Sequence, residues 1–264
     1  YISTPFLHSS SSLDIYYIFA GASVGFVIGI TGVGGGSLMT PLLVLGFQVQ
    51  PAIAVGTDLL YAAITKAGGV YSHHKFKNID WTIAKNLCLG SIPASIVSVF
   101  AIQALNISDD VFAQIISLVL GVMLVCTSIV IIFKQRLIKF KSTQKPKPRN
   151  IIILGACLGV LVTISSVGAG AIGSAILLIL YPNMLSNKVV GTDIAHAVPL
   201  TAIAGLGHLH LGNIDFNLLT SLIIGSLPAV YLGSKVGKVI PDKMLKNIIA
   251  TILMIMGLRF AISF

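Results

Sequence analysis

Asp58 and Asp193 each lie a few residues inside a long apolar run, in the matching contexts Val55-Gly56-Thr57-Asp58 and Val190-Gly191-Thr192-Asp193. A carboxylate at such a position is costly in hydrocarbon, so it is normally paired, protonated or functional. His196 follows Asp193 by three residues, which puts both on one helical face as a proton-handling pair; Tyr61 holds the corresponding place in the first half. The structural alternative for the aspartates is a hydrogen-bonded carboxylate at a helix end. Lys66 is the basic residue deepest in a span. It either supplies a counter-charge for an anion or snorkels to the surface.

Two glycine-rich tips carry the second kind of chemistry. In the first half an apolar arm at 15–30 runs into Thr31-Gly32-Val33-Gly34-Gly35-Gly36-Ser37 and a second arm at 38–47. In the second half an arm at 151–164 runs into Ser165-Ser166-Val167-Gly168-Ala169-Gly170 and an arm at 171–181. Second arms of this length reach about 15–17 Å, half a membrane, so each pair reads as a re-entrant V. Non-helical backbone survives at membrane depth only inside protein or beside a cavity. The half-helix after each tip directs free N–H groups and a positive dipole end inward, the arrangement that binds anions. The substrate-binding candidates are Gly34, Gly35, Gly36, Ser37, Thr57, Ser165, Ser166, Gly168, Gly170 and Thr192, with Thr40 and Ser174 as further hydroxyl donors. Gly21, Gly25 and Gly29, four apart, serve close helix packing instead.

The elements that must position these groups occur twice. His73, Asn78-Ile79-Asp80-Trp81 and Gly90-Ser91-Ile92-Pro93 recur 135 positions later as His208, Asn213-Ile214-Asp215-Phe216 and Gly225-Ser226-Leu227-Pro228. Periodicity of Leu and Ile alone does not align aspartates, histidines and prolines without a gap, so the chain is a duplication. Apolar residues make up 55% and charged residues only 9%, and mean hydropathy is +0.96. That excludes an ordinary soluble domain. Nearly uncharged stretches at 52–72, 82–102, 111–133, 189–206, 217–232 and 245–263 approach the roughly 20 residues that cross a bilayer. The fold class is therefore an all-α polytopic membrane protein of two inverted-topology repeats, each a glycine-tipped re-entrant pair plus three transmembrane helices. Residues 1–14 read as a tail without the basic flank of a signal peptide, 15–133 as repeat 1, 134–150 as a basic linker and 151–264 as repeat 2.

Charge sets the orientation. The net charge of +9 suggests nucleic acid only until its residues are placed, since they collect in loops beside spans. If the linker at 134–150 is cytoplasmic and the repeats are inverted, fifteen of the 17 Lys and Arg fall on that side; Lys66 and Arg259 are the remainder. The opposite loops at 47–51, 103–110 and 207–215 have none. Cys88, Cys126 and Cys157 lie in apolar segments without metal-ligand spacing and read as small buried hydrophobes. Asp80 and Asp215 read as helix caps.

These landmarks resemble the TauE/SafE sulfite exporter family, membrane permeases for sulfur-containing and small organic anions. The resemblance rests on Gly32-Val33-Gly34-Gly35-Gly36, Pro41, Val55-Gly56-Thr57 and His73 with Asn78-Ile79-Asp80-Trp81, and recurs more weakly through Gly168-Ala169-Gly170, Gly191-Thr192, His208 and Asn213-Ile214-Asp215-Phe216. Where the family commonly has serine after Gly-Thr, this chain has Asp58 and Asp193. The resemblance implies a multi-pass permease of the cell membrane for sulfite, sulfonate or a related small anion. The departure itself, carboxylates in an apolar span, leads to the expectation that Asp58, Asp193 and His196 couple transport to protons. No catalytic residue, cofactor, metal or nucleic-acid partner is expected, and oligomeric state is not legible. Two rival functions share the aspartates: a cation or metal-ion transporter, and an intramembrane aspartyl protease, whose dyad requires carboxyls within about 3 Å.

Overall fold

The computed structural model describes residues 15–31, 36–105, 108–137, 146–236 and 242–262, and among these the chain forms ten helices. In order they are α1 (Ile15–Thr31), α2 (Gly36–Phe47), α3 (Pro51–Lys75), α4 (Trp81–Ala104), α5 (Asp109–Leu137), α6 (Pro148–Ser165), α7 (Ala171–Leu180), α8 (Ser186–His210), α9 (Phe216–Val236) and α10 (Asp242–Ile262). Five stretches are long and apolar enough to cross a bilayer: α4, 109–133 of α5, α6, α8 and α9. Helix α3 has 25 residues, about 37 Å of rise, but carries Asp58 and Lys66 in its interior. Both charges are buried, at 0% and 9% exposure. Large apolar side chains such as Leu89, Val97, Phe100, Leu118, Tyr231 and Ile255 cover the outside, a surface suited to lipid rather than water.

The short helices double back. Leu177 and Leu178 of α7 share a buried cluster with Ile151, at the start of α6, and with Val189 of α8. Helix α7 therefore returns to the level from which α6 set out. In the other half the Phe47 ring, at the end of α2, lies 5.3 Å from that of Tyr17, at the start of α1. The first arms are the longer ones: α6 has 18 residues and α7 has 10. The pairs are thus asymmetric Vs, each with a longer first arm.

Neighbouring contacts exchange between the halves. Helix α1 packs on α9 and α6 packs on α4. A Cβ on Gly21 or Gly25 would overlap the α9 backbone at Leu222 or Ser226, and one on Gly155 or Gly159 would overlap α4 at Leu87 or Ser91. Small residues let these axes close to backbone contact, the usual source of helix adhesion where lipid offers no hydrophobic gain. Helices α3 and α8 run antiparallel, with Leu60 against Gly205 and Gly69 against Ile194. So do α5 and α10, with Gly121 beside Gly257 and Ser128 donating to the Ala250 carbonyl at 2.7 Å. Equivalent helices thus meet head to tail.

The loop ends interlock in the same reciprocal way. Asp215 N–H donates to Thr57 Oγ1 at 3.2 Å, and Asp80 N–H donates to Thr192 Oγ1 at 2.9 Å. Asp80 caps α4 through Thr82 and Ile83 N–H, and Asp215 caps α9 through Asn217 and Leu218 N–H. Both caps follow from the sequence reading. Of the basic linker, Arg136 already lies within α5 and Arg149 within α6; 138–145 lie outside the described residues.

Candidate functional site

The second tip, the start of α2 and the middle of α3 converge. Helix α6 ends at Ser165, Ser166 turns left-handed at φ 59°, and Gly168 and Gly170 hold φ of 123° and 137° before α7 begins at Ala171. Such φ values favour glycine, which explains two of the tip residues without reference to a ligand. Gly34 and Gly35 lie outside the described residues, Gly36 opens α2, and Ser37 is buried beside it.

Asp58 joins these pieces. Its Oδ2 accepts from Thr40 Oγ1 of α2 at 2.5 Å and from Ser166 Oγ of the second tip at 2.9 Å. Its Oδ1 has no hydrogen-bond partner among the described residues. The carboxylate therefore ties one half to the other. Asp193 is likewise buried, against Gly173 of α7; a Cβ at Gly173 would overlap its Oδ1. Lys66 does not snorkel. Its Nζ donates to the Ala169 carbonyl at 3.1 Å and stands within electrostatic reach of both Asp193 and Asp58.

The remaining candidates separate into two groups. Ser165 donates to the Leu161 carbonyl at 2.7 Å and accepts from Val167 N–H at 3.2 Å, so it stabilises the tip from within. Thr57 and Thr192 spend their hydroxyl oxygens on the Asp215 and Asp80 amides, away from the tips. Ser174 donates to the Ala171 carbonyl at 3.2 Å. His196 is fully buried with Nε2 2.9 Å from Ser91 Oγ. Tyr61, its counterpart, faces Ser226, the counterpart of Ser91, without closing a hydrogen bond. Sequence reasoning missed Ser91 as a partner of His196, although the repeated Gly-Ser-x-Pro landmark marked it. It also missed the Ala169 carbonyl, because no side-chain pattern reports where a backbone acceptor points.

At the N-terminus of α7, Gly173 N–H is used by Gly168 O at 3.2 Å and Ser174 N–H by Gly170 O at 3.1 Å. Gly170 supplies no side-chain cap. Around this tip lie one ammonium and two carboxylates, all buried: Lys66 on the Ala169 carbonyl, Asp58 on Ser166 and Asp193 against Gly173. Groups of three or more His, Cys, Asp or Glu able to hold a metal are absent among the described residues.

A multi-span helical bundle whose buried charges gather around a broken helix pair defines a polytopic membrane transporter. The family model for the sulfite exporter TauE/SafE matches residues 17–260, and the chain belongs to that family. Its relatives include the "Probable membrane transporter protein YjnA" of Bacillus subtilis, 35% identical over 94% of this chain and 99% of the relative. "Probable membrane transporter protein YdhB" of the same organism is 27% identical over 86% of this chain and 91% of its own length. "Probable membrane transporter protein MJ0441" of Methanocaldococcus jannaschii is 28% identical over 89% and 92%. No solved structure matches the chain.

Proposed function

We propose that the protein is a secondary transporter of the cell membrane that moves a small oxyanion, sulfite, a sulfonate or a related carboxylate, in exchange with or together with protons. The reading rests on the Lys66 ammonium, held by the Ala169 carbonyl of the second tip between two buried aspartates. With both carboxylates ionised the cluster carries one net negative charge, which opposes an incoming anion. Protonation of one carboxylate neutralises the cluster and protonation of both frees the Lys66 charge for the anion, and a bound anion in turn favours protonation. Such reciprocal linkage is a coupling mechanism in itself. Asp58, Asp193 and His196 are the proton-handling groups on this reading, and the tip backbone at Gly34, Gly35, Gly36, Gly168 and Gly170 supplies N–H groups to the anion. A lysine already filling the carboxylate and carbonyl niche speaks against the rival cation transporter.

The two five-helix halves, 15–133 and 151–264, act as inverted repeats that rock about the antiparallel α3–α8 and α5–α10 contacts to alternate access. The basic linker and the loops rich in lysine lie on the cytoplasmic face.

The test uses the reconstituted chain in proteoliposomes and radiolabelled sulfite. A charge-assisted hydrogen bond contributes about 1.5–3 kcal/mol, so Lys66→Met should reduce saturable uptake by roughly 10–150-fold. Uptake within twofold of wild type in a Lys66→Met protein that inserts normally would sink the reading.

A further inference from the structure

The interface of α4, α6 and α8 contains a buried polar ladder that its symmetry mate lacks. From the inside outward, His196 Nε2 lies 2.9 Å from Ser91 Oγ; Ser95 follows one turn along α4; Ser95 Oγ lies 2.7 Å from Thr163 Oγ1; and Thr163 O accepts from His208 Nε2 at 2.8 Å. All five residues are 0% exposed. The Nδ1 atoms of His196 and His208 have no hydrogen-bond partner among the described residues. Ser91 and Ser95 lie about 15 and 21 Å from the start of α4, and His208 in the last turn of α8, so the groups climb the bundle in one direction.

The packing contacts fix the symmetry mates. Gly159 meets Ser91 as Gly25 meets Ser226, and Gly29 meets Val230 where Thr163 meets Ser95. On the α1–α3–α9 side the five ladder positions are thus Tyr61, Ser226, Val230, Gly29 and His73, and the two in the middle, Val230 and Gly29, have no polar side-chain atom. Duplication produced both interfaces, yet only one has hydroxyls at the two middle positions, Ser95 and Thr163. A hydroxyl at Thr163 is not needed for packing, since its counterpart is a glycine.

We propose that protons reach Asp193 along this α4–α6–α8 ladder, from the end of the bundle where α8 terminates, and not along its symmetry mate. The proposal rests on the proton-coupled reading of the site. A proton taken up at His208 Nδ1 makes the ring cationic. The Thr163 carbonyl cannot pass a proton on, so the ring must swing its Nε2–H from that carbonyl to the hydroxyl of the same residue. Thr163 then gives its own proton to Ser95, Ser95 to Ser91 by rotation across one turn, and Ser91 to His196 Nε2. His196 releases its Nδ1 proton to Asp193, one turn away. Each hydroxyl gains one proton and loses one, and one proton is moved in total. The charges that face the inner end are Asp193 on α8 and Asp58 and Lys66 on α3; α4 offers Lys85 and Cys88 nearer its start, and Cys157 on α6 is exposed. At the outer end stand His210, Asp215 and the α5 start at Asp109 and Asp110. The loops there carry no Lys or Arg to repel an arriving proton.

The reconstituted full chain tests this with radiolabelled sulfite, measured as accumulation driven by an imposed pH gradient and as exchange at equal pH. Thr163→Val and Ser95→Ala should slow gradient-driven accumulation roughly tenfold while exchange stays within twofold. Thr163→Ser, which keeps the hydroxyl, should restore accumulation, and the mirror variant Ser226→Ala should match wild type. Wild-type accumulation in Thr163→Val, or an equal loss in Ser226→Ala, overturns the ladder alone. A fall in both assays that Thr163→Ser does not repair makes Thr163 a packing residue and also overturns it. Absence of gradient-driven accumulation in wild type overturns the proton-coupled reading and the ladder with it.

Discussion

The contact between Asp58 and Ser166 ties one half of the chain to the other, and a double-mutant cycle measures its strength. Asp58 is 0% exposed, so no water replaces the Ser166 hydroxyl when it is removed. Oδ1 already lacks a partner, which leaves Thr40 as the remaining donor to the carboxylate. Neutral side-chain hydrogen bonds in membrane proteins average about 0.6 kcal/mol with a maximum near 1.7. Bonds to charged groups run to about 1.5–3 kcal/mol. Ser166→Ala should therefore cost about 1–2 kcal/mol in the wild-type background. In an Asp58→Ala background the hydroxyl loses its acceptor, and the same substitution should cost about 0.5 kcal/mol or less, leaving a coupling of roughly 1 kcal/mol or more. At about 2–4 °C per kcal/mol for a chain of this size, the wild-type background should show a melting shift of roughly 2–8 °C in detergent, followed by intrinsic fluorescence or a thiol-reactive dye. If the two substitutions add within about 0.5 kcal/mol, the Ser166–Asp58 bond does not hold the halves together.

Replacing Gly25 or Gly159 by Leu should prevent α1 from seating on α9, or α6 on α4, because a Cβ there already meets backbone that cannot move aside; the check is loss of a monodisperse elution peak, whereas Gly68→Ala, with nothing within 4 Å, should elute as wild type. Single cysteines in a background lacking Cys88, Cys126 and Cys157 test orientation. One at Ser108 or Asn213 should react with an impermeant thiol reagent from outside and one at Lys235 from the cytoplasm, and labelling of Lys235 from outside would overturn the inverted arrangement.

The helical membrane class, the family and the duplication follow from the sequence alone, and the reason is physical. Lipid excludes charge and unpaired backbone, so spans announce themselves as long uncharged runs. Aspartates and prolines repeated at one spacing survive only through duplication. The caps at Asp80 and Asp215 were equally legible, since capping is a local bond between a side chain and amides two and three residues on. What the tertiary structure decided is which groups meet across the halves. Lys66 could have snorkelled; it turns inward because the Ala169 carbonyl, 103 residues away, lies within 3.1 Å. Thr57 and Thr192 were substrate-binding candidates from their Gly-Thr-Asp setting, and only the assembled bundle shows their hydroxyls accepting from the amides of Asp215 and Asp80. The asymmetry of the ladder was written in Ser95, Thr163, Val230 and Gly29, but nothing local pairs a residue on α4 with one on α6. Spacing along a chain fixes which face of a helix a residue occupies, whereas its partner depends on which helix packs there, and that is a property of the assembled bundle.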